Sequence, residues 1–151
     1  MHMKLQKHYN KISIRMKLLM IYMNSFSYNP TIKTIESMPD CTEEKNFNNI
    51  QAAFIQVEKE DEENEVAVKK KLLKNLKWIA GKNNTKKIVL HSFAHLSESK
   101  AEPEYTKLLF NDIDERLGNS GFEVEQTPFG YFLDLKIDAP GYSLARVFKS
   151  L

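Results

Sequence analysis

Apolar positions along this chain change their spacing several times, and each change marks a new element. Lys17 to Met23 is apolar on both faces, the pattern of a central strand. Asn24 to Tyr28 alternates polar and aromatic residues, which predicts a second strand after a turn, closed by Asn29-Pro30. Thr31 to Asn49 is polar, contains Pro39, and reads as a loop or a short hairpin. Ile50 to Glu58 is the next strand. From Val66 to Ala80 the period lengthens to that of a helix. Val68, Leu72, Leu76 and Ile79 form one stripe, lysines take the opposite face, and Gly81 ends the helix.

Lys86 to Leu90 predicts a further buried strand. Pro103 suits a first helical position and opens a helix through Leu117, with Tyr105, Leu108, Leu109, Ile113 and Leu117 inward and Gly118 or Gly121 as its stop. Phe122 to Gln126 and Phe132 to Ile137 read as strands joined through Thr127-Pro128-Phe129-Gly130. Pro140-Gly141 turns the chain, and Ser143 to Leu151 is expected to form a short terminal helix. With helices between strands in the middle and hairpin-like connections at both ends, the order predicts an α/β (α+β) domain, a mixed sheet carrying two main helices.

Composition adds bounds. The chain has 151 residues, of which 42% are hydrophobic and 28% charged, enough for one domain with a real core. A formal charge of +2 gives no strong electrostatic bias, but its distribution does. Residues 1–15 hold Lys4, Lys7, Lys11 and Arg15 with no acid, and read as a basic N-terminal extension, either a frayed tail or an arm for RNA phosphates. Residues 16–151 form the domain. Cys41 is the single cysteine, so no internal disulfide forms, and a reducing, cytoplasmic setting is expected. No apolar run approaches a membrane span.

The acid-rich block Glu58 to Glu65 reads as a solvated loop whose carboxylates favour the helix that follows. Trp78 lies off the apolar stripe near Lys71 and Lys74. It is expected to be half exposed, on a helix exterior that is either merely soluble or a holder of RNA backbone.

Candidate chemistry is sparse. His91 and His95 are four apart but follow a strand directly, and no third ligand accompanies them, so no metal is expected. Cys41 has no supporting nucleophile motif. The five glycines are scattered, no phosphate-binding loop is present, and no cofactor is expected.

Four short stretches carry a resemblance. They are Lys17-Leu18-Leu19-Met20-Ile21, Ala53-Phe54-Ile55-Gln56-Val57-Glu58-Lys59, Phe93-Ala94-His95-Leu96-Ser97 and Pro128-Phe129-Gly130-Tyr131. In this order and at these separations they resemble the archaeal threonyl-tRNA synthetase N-terminal editing domain, which has a D-aminoacyl-tRNA deacylase-like fold. The similarity begins at Met16, where members of that family usually start.

The resemblance implies proofreading: hydrolysis of the ester of serine mischarged on threonine tRNA. It implies that His95 handles the attacking water, that Ala94 and its neighbours give backbone contacts to substrate, that Tyr131 and Phe132 form an aromatic wall beside the terminal adenosine, and that Gly130 is also a substrate-binding residue. The implied partners are the aminoacylated 3′ end of tRNA and a threonyl-tRNA synthetase catalytic body, with a homodimer as a candidate assembly. Three positions depart from the family. Leu133 stands where the family has a catalytic lysine, Arg146 where it has a glutamate, and Tyr22-Met23-Asn24 where it has His-Ser-Asp. On a regular strand Lys136 points away from the lysine position. These departures keep a second expectation open, a catalytically inactive relative acting as a tRNA-binding or synthetase-docking module. A third is a protein-interaction domain in which His95 is an ordinary core histidine.

Overall fold

The computed structural model describes residues 15–151. Strand β1 (Lys17–Lys33) is followed by β2 (Lys45–Gln56), a 3-10 turn (Lys59–Glu62), helix α1 (Glu65–Lys82), β3 (Lys87–Ser92), helix α2 (Pro103–Asn119), β4 (Glu123–Gln126), β5 (Tyr131–Asp138), a second 3-10 turn (Ser143–Ala145) and β6 (Arg146–Ser150). The six strands make one mixed sheet in the order β4-β3-β2-β1-β5, with β6 also on β1. Strands β2, β3 and β4 run parallel through the two helical crossovers, and β1 is antiparallel to β2, β5 and β6. The mixed sheet with two main helices is the expected fold. The basic extension lies outside the described residues except for Arg15.

Both helices pack on one face. Val68, Leu72, Leu76 and Ile79 of α1 join Leu109, Phe110, Ile113 and Leu117 of α2 over Leu18, Met20, Ile55, Ile88 and Leu90 of the sheet. The opposite face holds a smaller cluster of Met23, Phe26, Ile50, Ala52, Phe54 and Val89. Leu108 is not inward; it is 67% exposed, and Thr106 and Phe110 take its place because the α2 stripe lies one position further round the helix. Helix α1 runs one residue past Gly81, to Lys82, and the left-handed turn falls on Asn84 (φ 54°).

Several elements differ from expectation for identifiable reasons. The first two predicted strands are one 17-residue strand. Pro30 is tolerated because the β1–β5 register shifts between Pro30 and Ile32, where its missing N–H costs no ladder bond. The C-terminal segment reads as helical but forms β6 from Arg146 to Ser150. It pairs with Lys17–Ile21, the half of β1 that β5 leaves open, and an unpaired central edge would be costlier than the lost helix.

The acid-rich block is only partly solvated. Glu58 and Asp61 are buried. Asp61 accepts hydrogen bonds from the backbone N–H groups of Glu58 (2.8 Å) and Met16 (3.3 Å), while Lys17 lies 3.6 Å from Glu58. Burial pushes the Asp61 carboxyl up to about 6.

The link between β4 and β5 is not a hairpin, since the two strands lie at opposite ends of the strand order. On a flat sheet four strand spacings would separate them by about 19 Å. Five extended residues reach about 17 Å. The crossing from Gln126 to Tyr131 therefore requires a curled sheet, which brings the two edges towards each other over the strand ends.

Candidate active site

Where the crossing segment passes the end of β3, the residues that lead into the 93–97 and 128–131 stretches are bonded to each other. The Thr127 N–H donates to the Leu90 carbonyl (3.0 Å), and the Thr127 hydroxyl and His91 Nδ1 share a hydrogen bond of 2.8 Å. His91 is buried among Phe26, Phe54 and Phe93. Desolvation lowers its pKa to about 4, so at neutral pH it is an uncharged tie between the stretches.

The far end of the crossing is held by the loop after β1. The Gly130 carbonyl accepts from the N–H groups of Thr34 (2.7 Å) and Ile35 (3.3 Å). Gly130 has φ +82°, and a Cβ there would sit 2.9 Å from Met38 Cγ and 3.0 Å from Ile35 Cβ. Glycine is required on both counts. The Tyr131 hydroxyl accepts from the Cys41 N–H (2.8 Å) and donates to the Pro39 carbonyl (3.1 Å).

The other stretch leaves β3 as a loop, yet it is tethered along the end of β2. Phe93 N–H donates to the Ile55 carbonyl, and Ala101 N–H to that of Val57 (3.0 and 2.8 Å). Between them, buried Gln56 accepts from the Leu96 N–H and donates to the Ser97 (2.9 Å) and Ser99 (2.6 Å) carbonyls. One side chain thus satisfies three backbone groups of a loop with no ladder of its own. The His95 ring packs edge-on to Phe93, with centroids 5.1 Å apart, and is exposed.

These walls enclose a cavity of about 570 Å³. Every sequence-predicted site residue lines it: Ala94 and His95 on one side, Gly130, Tyr131 and Phe132 on the other. Leu133 and Leu135 also line it, Asp134 and Lys136 do not, and Phe132 borders it while remaining exposed, in keeping with the alternation of β5. Lys136 and Arg146 do not line the cavity. Lys100 does, and it is the only amine that does so among the described residues. No role for Gln56 or Lys100 is evident in the sequence: Gln56 sits within the 53–59 strand stretch, Lys100 belongs to no motif, and only the tether along β2 turns the 96–100 loop inward. Among the described residues no three His, Cys, Asp or Glu side chains come together as metal ligands.

Fold and cavity together define a mixed-sheet α/β domain with an imidazole at the rim of a largely apolar pocket. Residues 16–151 match the family model described as the archaea-specific editing domain of threonyl-tRNA synthetase, and the chain belongs to that family. The threonine–tRNA ligase of Thermococcus kodakarensis is 30% identical over 139 residues, covering 90% of this chain and 22% of that protein. That of Methanosphaera stadtmanae is also 30% identical over 139 residues, with the same coverage. The Methanococcus vannielii ligase is 39% identical over 98 residues, 65% of this chain and 16% of its own. The chain thus spans about a fifth of the length of these curated relatives. Among solved structures, the c-Myc DNA Unwinding Element Binding Protein shares the fold with a TM-score of 0.66 at 11% identity, covering 89% of this chain and 98% of its own. No helix among the described residues is long and apolar enough to cross a membrane.

Proposed function

We propose that the cavity receives the aminoacylated 3′ end of a tRNA and that the domain hydrolyses the ester of serine wrongly joined to threonine tRNA. The observation that supports this most is that both family stretches, 93–97 and 128–131, line one cavity with His95 at its edge.

Ester hydrolysis needs an activated water, a fixed carbonyl and a partner for the oxyanion that forms. His95 takes a proton from water as the oxygen attacks the ester carbon, and returns it to the ribose oxygen as the acyl bond breaks. Lys100 supplies positive charge on the same wall, in a cavity where the family lysine position is Leu133. The Tyr131 and Phe132 rings give the adenosine an aromatic surface, and the Ala94 and Gly130 backbones flank the amino acid. Serine and threonine differ by one methyl, worth about 1–3 kcal/mol in binding, so a separate hydrolytic sieve that disfavours the larger ester adds what a first selection lacks.

Leu133 in the cavity favours one second reading, a domain that holds the tRNA end or docks on a synthetase body without turnover. Purified protein incubated with seryl- and threonyl-tRNA for threonine separates the two. Release of serine with threonine spared is expected. Intact seryl-tRNA at enzyme concentrations well above substrate would leave only the binding module.

A further inference from the structure

A second concavity lies outside the cavity, between α1 and β6. It is a groove of about 390 Å³ lined by Lys71, Lys74, Asn75, Trp78 and Lys149. Three features distinguish it from a plain soluble helix exterior. First, its positive charges are unopposed. On α1, Lys69 is paired with Glu65 and Asp112, but among the described residues no carboxylate pairs with Lys70, Lys71, Lys74, Lys77, Lys82 or Lys149. Second, the charges converge from two elements on an aromatic ring. The Lys149 ammonium lies 5.9 Å from the centre of Trp78, a ring left 40% exposed on a helix whose core stripe is otherwise well buried.

The third feature is position. Lys149 pairs with Leu18, Leu18 with Ile55, and Ile55 with Ser92, which lines the cavity. The groove therefore stands on a register row that reaches the cavity at Ile55, two strand spacings or about 10 Å away.

The geometry points to this groove as a docking site for the RNA backbone of the tRNA whose 3′ end occupies the cavity. Lysine ammonium groups from α1 and β6 take successive phosphates, and Trp78 offers its face to a ribose or an unpaired base. A polyanion matches the unopposed charge, and a stacking ring at the centre favours nucleic acid over a lipid surface. The inference rests on the tRNA reading of the cavity for the identity of the RNA, but not on hydrolysis.

Trp78 is the only tryptophan in the chain, so it reports on its own groove. Uncharged tRNA for threonine, titrated into the 151-residue chain at several salt concentrations, is expected to change Trp78 emission. The Lys71→Ala/Lys74→Ala/Lys149→Ala variant is expected to bind about tenfold or more weakly at 0.1 M salt and to flatten the slope of log K against log salt by about two to three. Cleavage of a seryl ester of adenosine alone, which reaches only the cavity, is expected to be the same in variant and wild type. Equal affinity and salt slope in the two proteins would overturn the inference, as would unchanged Trp78 emission under saturating tRNA. So would anionic vesicles binding through these lysines while tRNA does not. Absence of hydrolysis with the tRNA responses intact would count against the editing chemistry and leave the docking groove standing.

Discussion

The two walls of the cavity are held by different means. The 127–131 wall is fixed at both ends by backbone and hydroxyl bonds, through Thr127 to Leu90 and His91 and through Gly130 and Tyr131 to the loop at 34–41. Its side chains are largely apolar or aromatic. The 93–101 wall is pinned to the end of β2 at Phe93 and Ala101, is held between them only by the side chain of buried Gln56, and carries the exposed imidazole and amine. Shape belongs to the rigid wall and chemistry to the tethered one. On the proposed function, a shaped wall would serve discrimination by one methyl group, and a tethered loop would let His95 and Lys100 adjust as the ester carbon changes geometry.

The sharpest way to break this contrast is on the chemical wall. Lys100→Ala is expected to slow single-turnover release of serine about 10²-fold, the scale of losing one oxyanion partner, with Lys100→Arg retaining more of the rate. Adding Leu133→Lys to Lys100→Ala should restore part of it by returning an amine from the opposite wall. If neither change moved the rate, the cavity's positive charge would have no part in the reaction.

On the shaped wall the expected effect is on stability. Gly130→Ala forces an L side chain into the left-handed region and against Ile35 and Met38, at about 1–3 kcal/mol. Thermal unfolding should fall by about 5 °C. An unchanged melting temperature would mean that this wall yields more than its contacts imply.

Gln56→Ala tests the tether and should have a smaller effect on global stability, because the loop's released groups find water. Hydrogen exchange is the informative readout. Leu96 N–H should lose protection, while Ala101 N–H, bonded to Val57, should keep it. Equal protection of both in the variant would show that the loop holds itself.

The smallest effect expected is on pH dependence. Buried His91 has a folded pKa of about 4, below its unfolded value, so its contribution is complete above about pH 6.5 and is lost as pH falls towards 4. Asp61 runs the other way. Its folded value of about 6 lies above the unfolded one, so stability is gained as pH falls through 6 towards 4. The two should nearly cancel in the native protein. Denaturant unfolding of Asp61→Asn should expose the histidine's loss between pH 6.5 and 4, and a flat profile there would remove His91 as a neutral tie.

Much of the scaffold was legible in the chain because periodicity reports burial directly. The α1 stripe, Pro103 at the head of α2 and the β5 alternation all follow from local spacing. What was not legible depends on partners distant in sequence. Ser143 to Leu151 reads as helical, yet Arg146–Ser150 becomes a strand because half of β1 stands open beside it. The Thr127–Gly130 link resembles a hairpin turn and proves to be a crossing only once β3 and β2 lie between its ends. At the site, the family pattern pointed to five residues that line the cavity, whereas the place of Lys100 and the role of Gln56 depend on a tether between positions about 40 residues apart. Glu58 and Asp61 look like solvent charge until Met16 and Lys17 close over them.

The central claim is that the imidazole on the tethered wall performs the hydrolysis. Single-turnover deacylation of seryl-tRNA by His95→Ala, with folding checked by circular dichroism, tests it most directly. The account predicts a fall of about 10²-fold or more at unchanged tRNA affinity. A rate equal to that of the native protein would contradict it.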